Sequence, residues 1–262
     1  MTGAGAVVAL VLLEWTTGWM GAAAWTQSWA VVRRGHFRVL AWGAIALAVL
    51  GVLATAAAVS GDDAAFVVAA GVVLIALCIA YRVVQGAASD GPGAAVGAAA
   101  TAAGCVTLIA GAVLLDNWST VTATLQFVVG AVFLGAVTNG MLLGHWYLNQ
   151  PGLKPWALAR LTTLSLVAVG LSLGLGLAFA ERLSSASTEG AAFGMESFGE
   201  SFGLAFYLVW LALAALTAVV VWMARRCIRI RSIQSATGLY YVALLTAGVA
   251  EFLVRYLMVN AP

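Results

Sequence analysis

The sequence predicts an all-α polytopic integral membrane bundle of eight transmembrane helices with both termini outside. Three observations predict it. The 262 residues are 63% hydrophobic and only 8% charged, a composition foreign to water-soluble domains of this length. The apolar residues fall into eight runs, each meeting the roughly 20 residues that a bilayer core requires, and helices suit such continuous runs. Ten of the twelve basic residues fall on one side of the eight-span plan: Arg33, Arg34, Arg38, Arg82, Lys154, Arg160, Arg225, Arg226, Arg229 and Arg231. Short loops rich in Lys and Arg stay cytoplasmic, which puts the N-terminus outside a bacterial-type cytoplasmic (inner) membrane. The net charge of +2 then reflects topology and gives no support for nucleic-acid binding.

The spans are expected at 6–32, 39–59, 64–84, 94–115, 121–148, 155–180, 202–224 and 238–258, in one transmembrane domain covering 1–262. The first has no short apolar core and no basic residue before it, so it reads as a retained span and not a cleaved signal. It carries Glu14, roughly 12 Å in from its outer end at 1.5 Å per residue, followed by Trp15. The loop RRGHFR puts His36 among arginines, as a solvated or lipid-headgroup residue. Spans two and three carry no charge until Arg82 and read as scaffold. The Gly- and Ala-rich start of span four favours close helix approach.

Span five ends in TNGMLLGHWYLNQPGLKPWALARL, where Pro151 and Pro155 break and restart helices. Trp146 and Trp156 suit the interfacial belt. Gly140, Gly144 and His145 define a close contact with His145 bonded to a neighbour; the competing reading makes His145 a cofactor residue. The segment 181–201 is the one long outer loop. Phe193, Phe198 and Phe202 make an apolar edge beside Glu196 and Glu200, either on a solvated loop or on a lid or docking surface. Across the membrane, RRCIRIR suits anionic lipid heads.

The last span, GLYYVALLTAGVAEFLVRYLM, places Glu251 and Arg255 one turn apart on one helix face. Charges in hydrocarbon face a protein interior or a watery cavity, so the pair marks an inward face. Glu251 lies roughly 10 Å below the outer end, level with Glu14, and Trp15, Tyr207, Trp210 and Tyr256 share the band. Two acids against one base suit a proton-handling or polar-ligand site, because desolvation disfavours a charged carboxyl. The competing reading is a packing lock. Two histidines at different depths offer no bis-histidine haem site, and no His, Cys and carboxylate cluster shares a helix or loop, so no haem or metal is expected. No convincing internal repeat is visible, since Glu14 has no counterpart in span five and Glu251 none in span four.

The closing GVAEFLVRYLM resembles the final helix of quinone-linked membrane anchor subunits of the polysulfide reductase and dimethyl sulfoxide reductase type. The eight-span plan and the acid in span one are similar to the latter. The histidine and glycine motif that those families carry after the second span is absent, where this chain has AVSGDDAAF. The resemblance implies a respiratory subunit that binds quinone or quinol in the outer half and exchanges electrons with an iron–sulfur or other redox protein on the outer face. Under it Glu14 or Glu251 accepts quinol protons, Arg255 tunes the carboxyl, and Trp15, Trp210 or Tyr207 lines the ring pocket. The alternatives are a proton-coupled small-molecule transporter and a non-catalytic accessory or lipid-organising scaffold.

Overall fold

The structure is a computed structural model that describes residues 3–59, 62–86, 89–150, 152–186 and 202–262. Nine helices and no strand occur among the described residues: α1 Ala4–Ser28, α2 Arg34–Ala58, α3 Asp62–Val84, α4 Gly91–Val113, α5 Thr120–Trp146, α6 Trp156–Ala178, α7 Ala180–Ser184, α8 Phe202–Arg229 and α9 Ile233–Asn260. Eight of them, all but the short α7, are long and apolar enough to cross a membrane. The chain is a multi-pass membrane protein. Residues 187–201, which carry most of the expected outer loop with Phe193, Phe198, Glu196 and Glu200, lie outside the described residues, as does Pro151.

Hydropathy locates every span but not its polar ends. The first helix stops at Ser28, short of the expected Val32, because the chain turns through Ala30 at φ 53°. The second starts at Arg34, earlier than expected, because its arginines find acceptors in the loop before α4. Arg34 Nε bonds Asp90 Oδ1 at 3.2 Å and Arg38 Nη2 bonds the Gln85 carbonyl at 3.3 Å. His36, expected in a solvated loop, is buried in the first turns of α2 against the rings of Phe37 and Trp146. The last helix begins at Ile233, because Gln234, Ser235 and Thr237 extend it beyond the apolar run.

Each helix packs against a defined set of neighbours, and the pairs close into two rings. The first ring runs α1–α2–α3–α4 and back to α1; the second runs α5–α6–α8–α9 and back to α5. The rings join through α1 against α5, flanked by α4 against α5 and α1 against α9. Exchange of the halves preserves this pattern, although no repeat is legible in the residues. The joining helices α1 and α5 are the most enclosed.

Small residues allow that junction. A Cβ on Gly18 would enter the Ala131 carbonyl and one on Gly135 would enter the Gly18 backbone, so α1 and α5 touch main chain to main chain. Other glycines seat side chains at helix contacts: Gly104 receives Thr17, Gly140 receives Tyr240 and Gly144 receives Thr237. Gly140 and Gly144 thus define the expected close contact, against α9. At the basic end Gln27 and Gln85, both buried, pair through their amides at 2.8 and 3.2 Å, satisfying groups that are costly to bury alone.

Replacing Gly135 with valine should push α1 from α5 and destabilise the protein by roughly 1–3 kcal/mol, the usual cost of overpacking. Thermal unfolding in detergent measures it. A variant as stable as the parent would show that the junction is not close-packed.

Candidate functional site: a sealed carboxylate–guanidinium–carboxylate centre

Arg255 projects from the last turns of α9 into the junction between the rings. Its Nε donates to Glu14 Oε1 of α1 at 2.6 Å, and its Nη2 donates to Glu251 Oε2 on its own helix at 2.9 Å and to the Gln126 carbonyl of α5 at 2.7 Å. Nη1 meets the Met258 sulfur at 3.0 Å, and the Phe127 ring centroid lies 5.2 Å from the guanidinium carbon. All three charged residues are at most 1% exposed. Glu14, Glu251 and Arg255, predicted to share a band, are therefore in direct contact, and the Glu14–Arg255 bond ties the first ring to the second.

Each acid commits one oxygen to the guanidinium. The other oxygens, Glu14 Oε2 and Glu251 Oε1, are buried with no hydrogen-bond partner, as is the amide nitrogen of Gln126. Ser172 of α6 stands close enough to influence the Glu251 carboxylate, though it makes no bond of hydrogen-bond geometry. With both acids ionised the centre carries one net negative charge. A sealed charge in hydrocarbon is costly, and one proton on either free oxygen makes the centre neutral.

Gly130 brings α5 into this centre. A Cβ there would collide with Arg255 Nη2 and crowd both carboxylates, so only hydrogen leaves room. The side away from the basic end is closed by the C-terminus of α9. Asn117 donates to the Met258 and Ala261 carbonyls at 3.0 and 2.6 Å, and the Trp118 indole donates to the Met258 carbonyl at 2.8 Å. Arg182 stacks 4.3 Å over Trp118 and bonds Pro262 at 3.1 Å. These bonds fix Met258 over the guanidinium.

The predicted aromatic residues are placed elsewhere. Trp15 turns to α5 and donates to Thr138 Oγ1 at 2.8 Å. Tyr207 and Trp210 stack at 5.4 Å between α6 and α8, with Trp210 seated on Gly176 and the Tyr207 hydroxyl donating to the Gly176 carbonyl at 3.3 Å. Tyr256 packs against Phe202 and Phe206. His145, expected to bond a neighbour beside Gly140 and Gly144, is instead exposed in the last turn of α5, at the end opposite the centre, because its side chain points away from the face that meets α9. Among the described residues no three His, Cys, Asp or Glu gather as metal ligands.

No family model, curated protein or solved structure matches the chain. The chemistry of the site is therefore argued from its own geometry. Gln126, Gly130, Ser172 and Met258 escape sequence reasoning, because a carbonyl, a missing Cβ, a lone hydroxyl and a thioether have no pattern that singles them out among so many small and apolar residues.

Removing the guanidinium should be far worse than removing one acid. Arg255→Gln strands two buried carboxylates and should cost about 3–5 kcal/mol. Glu14→Gln leaves a neutral Arg255–Glu251 pair and should cost clearly less. Unfolding in detergent compares them, and equal losses would contradict the charge assignment.

Proposed function

We propose that this chain is a proton-coupled membrane protein, acting as the quinone-binding subunit of a respiratory oxidoreductase complex. One observation carries the proton-coupled part: two sealed carboxylates share a single guanidinium, and each keeps one unpartnered oxygen. The Glu14–Arg255 pair is enough to lock α1 to α9. A second acid supplies a place to hold and release a proton.

The quinone-linked part rests on the resemblance of the closing helix and on the position of the centre in the half of the bundle away from the ten basic residues. Under the positive-inside rule that half is the outer one and the N-terminus is outside. A quinol bound there would supply two electrons for an iron–sulfur or other redox protein on the outer face and two protons, which Glu14 and Glu251 would take in turn, with Arg255 holding whichever carboxylate is ionised. The quinone supplies the redox chemistry. Trp15, Tyr207 and Trp210, which the resemblance assigns to its ring, do not form a ring pocket in this arrangement: Trp15 is bonded to Thr138, and Tyr207 and Trp210 close the α6–α8 contact at Gly176.

A proton-coupled transporter is the second reading. It is favoured by the two rings of like connectivity with the charged centre at their junction, since transporters place coupling sites between structural repeats.

Purification in mild detergent, followed by mass spectrometry of proteins and extracted lipids, tests the choice. The quinone reading expects a stoichiometric redox partner and bound quinone; a solitary protein without quinone supports transport. In the reconstituted complex, Glu251→Gln and Glu14→Gln should each lower quinol turnover at least about a hundredfold. Unchanged turnover in both would overturn the proton-handling role.

A further inference from the structure

The interior of the second ring holds hydroxyl groups that lead away from Glu251 toward the basic end. On α6, Thr162, Ser165 and Ser172 are buried on one face; on α9 Thr237 and Tyr240 are buried on the face that carries Glu251, and Thr246 is buried on the side that meets α8. The two helices face each other across the ring. The Tyr240 hydroxyl donates to Thr162 Oγ1 at 2.8 Å with Ser165 beside it, and Thr217 of α8 donates to Thr246 at 2.7 Å. Ser172 then stands beside Glu251, whose Oε1 is buried and unpartnered.

Tyr240 and Thr246 lie roughly 16 and 8 Å from Glu251 along α9, and Ser165 lies roughly 10 Å from Ser172 along α6, at 1.5 Å per residue. A water bonded at both ends spans about 5.5 Å between oxygens, so a relay over these steps requires two waters in series at its longer gaps. At the far end Thr237, one turn beyond Tyr240, lines a cavity of about 500 Å³ with Gln234, Tyr147 and Gly144.

The buried threonines of the first ring, Thr17, Thr55 and Thr107, donate to carbonyls of their own helices, the ordinary fate of a hydroxyl in an apolar helix, and Thr162, Ser165, Thr217 and Thr246 of the second ring do so as well. What sets the second ring apart among the described residues is a pair of hydroxyl-to-hydroxyl bonds between helices, Tyr240 to Thr162 and Thr217 to Thr246.

We propose that the Tyr240–Thr162–Ser165–Thr246–Ser172 series is the proton route between the Glu14–Arg255–Glu251 centre and the cavity at the basic end. It rests on the proton-handling reading of that centre. Along this route a proton is passed between hydroxyls and intervening waters by exchange of O–H bonds, joining or leaving a free carboxylate oxygen at the centre. The centre goes from one net negative charge to neutral, and no bond other than O–H is made or broken.

Infrared spectroscopy of the whole protein in lipid nanodiscs, transferred from H₂O to D₂O, tests the route. The parent should show a protonated-carboxyl band that is lost in Glu14→Gln or Glu251→Gln, and its shift on deuteration gives the exchange rate. Ser165→Ala, Tyr240→Phe and Thr246→Val should each slow that exchange about tenfold or more. Thr246→Ser should restore it, and Thr55→Val and Thr107→Val in the first ring should leave it unchanged. These near-isosteric changes remove oxygen with little change of shape, and thermal unfolding verifies that each variant is folded. A carboxyl band exchanging at the parent rate in all three relay variants would overturn the route while leaving the proton-handling reading standing. Absence of the band from the parent would overturn both.

Discussion

Arg255 is the constraint around which the bundle is organised. A guanidinium stays charged in any protein, so burying it at 1% exposure obliges the surroundings to supply acceptors. They come from both rings: Glu14 from α1, the Gln126 carbonyl from α5, and Glu251 and Met258 from α9 itself. In lipid no hydrophobic drive pulls helices together. The ion pair thus adds a directional bond to a junction otherwise held by close packing of Gly18, Ala131 and Gly135.

Packing and electrostatics depend on each other here. The guanidinium reaches the Gln126 carbonyl because Gly130, one turn further along α5, has no side chain to hold the helix away. The position of Met258 over Nη1 depends in turn on the Asn117 and Trp118 bonds to its carbonyl. Those bonds use acceptors left over at a helix C-terminus. The loop before α5 therefore both satisfies the end of α9 and closes the centre.

The sequence was informative where its signals are dense. Eight apolar runs, the four-residue spacing of Glu251 and Arg255, and the matched depth of Glu14 are all one-dimensional features, and the structure has eight such helices with the three residues in contact. What escaped depends on three-dimensional adjacency. Hydropathy does not report that α1 neighbours α9, that His36 is stacked on Trp146, or that α2 and α9 continue through Arg34 and Gln234. Polar residues at helix ends find partners in other loops, and those partners are set by the tertiary fold. The like connectivity of the two halves was hidden for a related reason: it lies in which helices touch, while the residues at the contacts differ.

That difference gives the centre its consequence. Under the proton-coupled reading the two acids are not interchangeable, because Glu14 belongs to the first ring while Glu251 shares a helix with the arginine. A proton on Glu251 leaves the Glu14–Arg255 pair intact and the rings bonded. A proton on Glu14 removes the charge of the one carboxylate that reaches across, leaving Arg255 neutralised within its own ring. The cross-ring bond, charge-assisted and worth about twice a neutral one when ionised, then weakens while the centre as a whole remains neutral. Moving a single proton between two carboxyl groups bonded to the same guanidinium therefore alters how strongly α1 is held to α9 without changing the net charge, so the architecture couples proton position to the ring junction at little electrostatic cost.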